Sequence, residues 1–327
     1  MESALERQNY KQLLSRFQSL IALVILCVII SLLSDKFLTA TNAWNVMRQI
    51  SVNVCISVGM TLVIIAGGID LSVGSVLALC GAVAAGLLKN GIELPFSNLY
   101  VGFTVLGTIV AALLVGSLLG AFNGFVITRF KVPSFVATLA MLTIARGLTM
   151  LWTGGFPVSS LGDTFAWIGT GWFIGIPVPV WISGIIVAIA IVITQRTKLG
   201  RYIYAIGGNE SAATLSGIDV KKVKIIVYTV AGGLAAAGGL LVTSRLDAAQ
   251  PNAGTGYELD SIAAVVIGGT SLTGGKGSIG GTVLGAIIIG VLNNGLVLLN
   301  VSPFWQQVLK GAVILAAVII DKAKAKN

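Results

Sequence analysis

The sequence predicts an all-α integral membrane protein of about ten transmembrane helices with an approximate internal repeat. Three observations carry that expectation. Of 327 residues, 56% are apolar and 10% charged, whereas a soluble domain of this size carries about a quarter of its residues charged. Mean hydropathy is +0.96. Apolar runs of membrane length recur along the chain, and since about 20 residues cross about 30 Å of hydrocarbon, ten crossings would take about 200 residues. Finally, a Gly-Gly turn between apolar runs occurs twice in one pattern. The 41 glycines suit helices that approach closely through small residues. The stretches without an apolar span, 153–179 and 195–224, are too short for a separate ATPase domain, so 1–327 reads as a single transmembrane domain.

Residues 1–17 are polar and carry Arg7, Lys11 and Arg16, and the apolar run that follows closes at Ser34, Asp35 and Lys36. No small-residue cleavage signal follows that run, so we read an uncleaved first span near 18–34 with a cytoplasmic amino end. Apolar length and Gly/Pro punctuation place the others near 46–66, 71–88, 100–127, 133–152, 179–195, 223–243, 258–273, 279–299 and 304–321. With both ends cytoplasmic, the outer segments hold only Lys36, Arg48, Lys89 and Arg245. Arg146 and Lys310 fall inside spans, and every other basic residue of the 21 lies on the inner side, including the basic tail 322–327. That bias follows the positive-inside rule. It also accounts for the net charge of +9 without a nucleic-acid partner. The outer loop carries Trp167 and Trp172 between Trp152 and Trp181, which suits anchoring at the headgroup level, with ligand contact as the other reading.

The chain contains no histidine, and Cys27, Cys55 and Cys80 all sit in apolar runs. Histidine-dependent triads and zinc motifs are thereby excluded, and no Cys-x-x-Cys spacing occurs. Residues 63–74 (VIIAGGIDLSVG) and 264–275 (AVVIGGTSLTGG) share the pattern GG-x-x-L-[ST]-x-G. Each copy reads as a hairpin turning at the cytoplasmic side, with Gly67, Gly68, Asp70 and Ser72 in one and Gly268, Gly269 and Lys276 in or beside the other. Repeats of this kind are common in transporters. Gly275 to Gly280 also matches G-x-G-x-x-G, but a dinucleotide site needs a βαβ unit and a downstream acid. Here membrane-length apolar runs flank the match. The Walker A pattern fails as well, so no nucleotide-hydrolysis motif is present.

The loop 195–222 reads differently from the spans. Asn209 is a good N-cap, Glu210 places negative charge at the positive helix end, and Ala212, Ala213 and Leu215 favour helix. Gly217 suits a left-handed C′ position. A short helix here, with Ser211 on its first turn, could insert into a partner's cleft or simply close a surface loop.

Three segments, GMTLVIIAGGIDLSVGS, LGRYIYAIGGNESAATLSGI and GYELDSIAAVVIGGTSLTGGKGS, together with VLNNGL further on, closely resemble the membrane permease subunits of bacterial ABC importers for monosaccharides, nearest the ribose branch. The resemblance runs nearly end to end. It implies a homodimer of this chain in the bacterial inner membrane. It also implies separate cytoplasmic ATPase subunits, which bind ATP and magnesium, and a periplasmic sugar-binding protein docking outside. By position, Asn209 to Gly217 would be the coupling helix that sits in the ATPase groove. This chain itself would carry no cofactor and no metal.

Polar residues inside a bilayer need partners or a watery lining. Asn53, Thr61, Asn123, Thr138, Asn293 and Asn294 are therefore expected either to line a translocation path or to bond helix to helix. Amides and hydroxyls suit an uncharged sugar. Asp70, expected at an inner turn, and Arg146 and Lys310, within spans, are costlier. A secondary sugar transporter driven by an ion gradient is the alternative, and it would use intramembrane acids as relays.

Overall fold

A computed structural model describes residues 19–94 and 99–325; the amino-terminal segment 1–17 and the end of the basic tail lie outside them. The described chain is helical apart from three two-stranded sheets: α1 (Ser19–Leu33), α2 (Ala40–Ile65), α3 (Val73–Asn90), β1 (Ile92–Leu94), β2 (Leu99–Val101), α4 (Val105–Phe130), α5 (Ser134–Thr153), β3 (Val158–Ser159), α6 (Asp163–Thr170), β4 (Trp172–Phe173), β5 (Ile176–Pro177), α7 (Val178–Arg196), α8 (Lys198–Gly208), α9 (Glu210–Leu215), α10 (Val220–Leu246), β6 (Ala248–Ala249), α11 (Tyr257–Ile267), α12 (Ile279–Leu298) and α13 (Pro303–Ala325). Seven of the described helices, α2, α3, α4, α5, α7, α10 and α12, are long and apolar enough to cross a membrane.

Local chemistry explains where helices begin. Thr39, Thr104, Thr197, Asn209, Asp219 and Ser278 each accept a hydrogen bond from a first-turn N–H of the helix that follows, which satisfies a donor the helix cannot. One difference from the apolar reading is informative. The stretch near 258–273 forms only the 11-residue helix α11 before Gly268, about 16 Å of rise and half a bilayer. Apolar content ran on through Ile267, but the Gly-Gly pair and the turn to Gly277 end the helix early.

The helices α2, α3 and α10 form the centre, while α4, α5 and α7 are mostly exposed. Outward side chains of those three, such as Leu106, Leu118, Leu139, Leu148, Ile185 and Val192, are what a hydrocarbon solvent accepts. Across the α4–α10 crossing, Gly116, Gly120 and Gly124 lie directly on the backbone of Gly232, Tyr228 and Ile225. A Cβ at any of them would collide with main-chain atoms. This is the close approach that small residues permit between membrane helices. Near the start of α2, Trp172 packs edge-on to Trp44 at 5.2 Å and lies under the Arg48 guanidinium at 5.0 Å. Trp152 donates to the carbonyl of Ala82, and Trp181 to that of Phe173. These tryptophans are engaged within the chain itself.

Candidate functional site: the α8–α9 segment and two glycine turns

The segment between α7 and α10 forms two helices. In α9 the Asn209 side chain accepts from the Ala212 N–H at 2.9 Å. Gly217 takes φ +81° just past the helix end, a conformation that a side chain resists. Ala213 is turned inward, whereas Ser211, Ala212 and Thr214 are exposed. Leu215, at 90% exposure, stands out on a surface where nothing among the described residues covers it. Glu210 pairs with Lys224 of α10 at 2.7 Å, tying the helix to the span that follows.

The carboxyl end of α8, where it joins α9, is where the two repeated turns meet. The Gly275 N–H donates to the carbonyl of Ile65, the last residue of α2, at 2.9 Å. Gly207, at the end of α8, sits against both of these groups, and a Cβ there would collide with the Ile65 carbonyl. Gly274 packs on Gly207 and Gly67. The Tyr204 hydroxyl donates to the Gly277 carbonyl at 2.8 Å, and partial burial pushes its pKa up. Two turns distant in sequence are thus clasped by α8, and Gly208 leads straight into the Asn209 cap of α9. Sequence reasoning missed Tyr204, Gly207, Gly274 and Gly275. The Gly-Gly doublet at 207–208, just before the Asn209 cap, was the available signal.

The first turn is held from its other side by two of the singled-out residues, Thr138 and Asn123, together with Ser134. The Ile69 N–H donates to Ser134 Oγ at 3.2 Å, and the Leu71 N–H donates to Thr138 Oγ1 at 3.1 Å. Asp70 is buried and accepts from the Ser72 N–H and hydroxyl at 2.9 and 2.6 Å. Asn123 donates to that same Ser72 hydroxyl at 3.1 Å. Burial raises the Asp70 pKa, and the two bonds from Ser72 offset only part of that.

The remaining polar candidates sit on α2 and α12. Thr61 shares a 2.7 Å hydroxyl contact with Thr282, and Asn294 exchanges two amide bonds with Asn42 at 2.9 and 3.0 Å. Asn293 donates to Asp260 at 3.5 Å. Asn53 is buried on α2 and makes no side-chain hydrogen bond among the described residues. Asp260 of α11 also pairs with Lys310 of α13 at 2.9 Å, and Arg146 donates to the carbonyls of Pro251 and Ala253 at 2.6 and 2.9 Å. The charges expected to be costly within spans therefore have partners, as an apolar medium would require. No cluster of residues able to hold a metal ion occurs among the described residues.

A many-helix membrane domain with a capped, outward helix clasped to two internal turns has the outline of a transport subunit. Residues 42–318 match the family described as branched-chain amino acid transport system / permease component, and the chain belongs to that family. It is 51% identical over 311 residues to the ribose import permease protein of Escherichia coli strain K12, covering 94% of each chain. It is 46% identical over 327 residues to the ribose import permease protein of Bacillus subtilis strain 168, covering 99% of this chain and 98% of the other. The D-allose transport system permease protein of Escherichia coli strain K12 is 41% identical over 303 residues, with 93% and 90% covered. No solved structure matches the chain. The protein is a multi-pass inner-membrane permease, not an enzyme.

Proposed function

We propose that this chain is the transmembrane subunit of an ATP-driven importer that carries a monosaccharide, ribose first among them, into the cytoplasm. The family description speaks of amino acids, but the relatives at 41–51% identity are named for sugars, and those named for ribose stand at 46% and above. The observation that carries the mechanism is the α8–α9 segment. Its exposed helix is joined by backbone contacts at Gly207 to the inner end of α2 and to the turn between α11 and α12. A push on α9 from an ATPase holding ATP and magnesium would reach both turns at once.

In this reading two copies of the chain enclose the path, both termini are cytoplasmic, and a periplasmic binding protein delivers sugar outside. The helices α1 and α13, and α11 together with the non-helical stretch 247–256 that leads into it, bring the crossings to ten, and the paired glycine turns are the surviving mark of an internal repeat. Glu210, Ser211, Ala212 and Leu215 form the face toward the ATPase, with Asn209 and Gly217 setting the ends of the helix and Ala213 seating it. Asn53, Thr61, Asn123, Thr138, Asn293 and Asn294 border the path. All but Asn53 would exchange a partner within the chain for a sugar hydroxyl as the helices move between access states. The path binds weakly in this scheme, because affinity spent equally on both states shifts nothing.

The test is uptake of labelled ribose into proteoliposomes holding this chain and its ATPase, with binding protein outside and ATP inside or absent. Uptake that requires both ATP and binding protein supports the importer. Uptake driven by an ion gradient without ATP would replace it with a secondary transporter.

A further inference from the structure

A cavity of about 710 Å³ opens beside α9, between the first glycine turn, the α4–α5 corner and the start of α10. That is the size of a small-molecule site. Val63, Ile127 and Val132 contribute an apolar wall, and Lys131, Lys221 and Lys224 stand around it with Glu210 and Asp219. These charges are not equivalent. Glu210 is engaged with Lys224, and the Asp219 carboxylate accepts from the Lys222 N–H as the cap of α10. Lys131 and Lys221 take no part in an ion pair among the described residues, and with three lysines against two acids the lining carries a net charge of +1.

Two further features point inward. The helix α5 begins in this wall at Ser134, and its N-cap Pro133 supplies no side-chain bond, leaving first-turn N–H groups of the kind that hold anions. Tyr228, 2% exposed, stands at the cavity wall with its hydroxyl against Gly68 and near the Ser134 side chain, and that hydroxyl makes no hydrogen bond of good geometry among the described residues. A buried hydroxyl left unpaired costs about 1–3 kcal/mol, and a polar ligand in the cavity would relieve it.

We propose that this cavity binds a phosphate ester, with the phosphate between Lys131 and Lys221 at the start of α5 and the alcohol part toward Tyr228. An apolar wall, a net positive lining and a buried hydroxyl without a hydrogen bond fit an amphiphilic anion better than a free inorganic one. Two sources offer that chemistry, a phospholipid headgroup and a soluble sugar phosphate. An occupant would brace the corner between α9 and α10; any effect on transport rests on the importer reading, whereas the binding itself does not.

The experiment titrates pentose 5-phosphate calorimetrically into the full chain in nanodiscs of phosphatidylcholine, then in nanodiscs containing phosphatidylglycerol. Saturable binding in the first, weakened at least tenfold by Lys131→Gln with Lys221→Gln and several-fold by Tyr228→Phe, supports a soluble ligand. The same binding abolished in phosphatidylglycerol, or phosphatidylglycerol retained in native mass spectra only when both lysines are present, assigns the cavity to lipid. Absence of both kinds of binding, or binding indifferent to all three substitutions, overturns the proposal. None of these readouts depends on sugar uptake.

Discussion

Lys310→Met tests the charge cluster around Asp260 most directly. The substitution removes the ammonium 2.9 Å from Asp260 and keeps an apolar stem of similar reach. Asp260, 4% exposed, would retain one side-chain partner, the Asn293 amide at 3.5 Å. Removing one member of a buried ion pair costs about 3–5 kcal/mol, because the survivor is left charged without compensation. That is roughly two to four orders of magnitude in the folding equilibrium. Adding Asp260→Asn removes the orphaned charge while preserving shape, and the double variant is expected within about 1 kcal/mol of the parent, since neutral replacements of buried pairs are often harmless. Unfolding of the purified protein in mixed micelles by added dodecyl sulfate, followed by tryptophan fluorescence across all four members of the cycle, reads the coupling. A loss below about 0.5 kcal/mol for Lys310→Met, or a double variant no better than the single, would refute the argument.

Four other outcomes are expected. Glu210→Lys removes an ion pair whose acid is 57% exposed, so stability changes by less than about 1 kcal/mol while ATP hydrolysis continues without uptake. Gly217→Val forces a β-branched residue to φ +81°, at a cost of about 1–3 kcal/mol, and uncouples in the same way; unchanged uptake in both would defeat the coupling assignment. Gly207→Ala drives a methyl group into the Ile65 carbonyl and should lower uptake at least tenfold with membrane insertion intact, measured by transport alongside the amount of inserted protein. Thr61→Val breaks the 2.7 Å contact with Thr282 for about 0.6 kcal/mol, and a several-fold fall in uptake with so small a stability change is the signature of a path residue. Parental uptake kinetics in that variant would remove Thr61 from the path.

Much of the fold was legible because burial in lipid leaves a long, one-dimensional trace. The runs that became α2, α7, α10 and α12 stand out by apolar length, and the cap at Asn209 and the left-handed Gly217 were readable from residue type and spacing alone. The half-length of α11 was not, because apolar composition says where a chain tolerates hydrocarbon and nothing of where a helix stops. The clasp at Gly207 was hidden for another reason. It joins residues from three separate stretches through main-chain groups, and only the absence of a side chain marks such a contact. Likewise Asn123, Thr138 and Asn294 could be recognised as polar in the wrong solvent, yet their partners Ser72, Leu71 and Asn42 depend on helix neighbours that composition does not reveal.

The enclosure of α2 has a consequence for how this protein is made. It emerges from the ribosome among the first helices, yet α10 and α12, which pack along its length, come much later in the chain. Until they arrive, Asn53, Ser57 and Thr61 stand in a bilayer without the neighbours that later bury them. Order of synthesis and order of packing are therefore inverted. The central helix of the finished molecule must wait at the translocon, or in the lipid beside it, for the second half of its own chain to close around it.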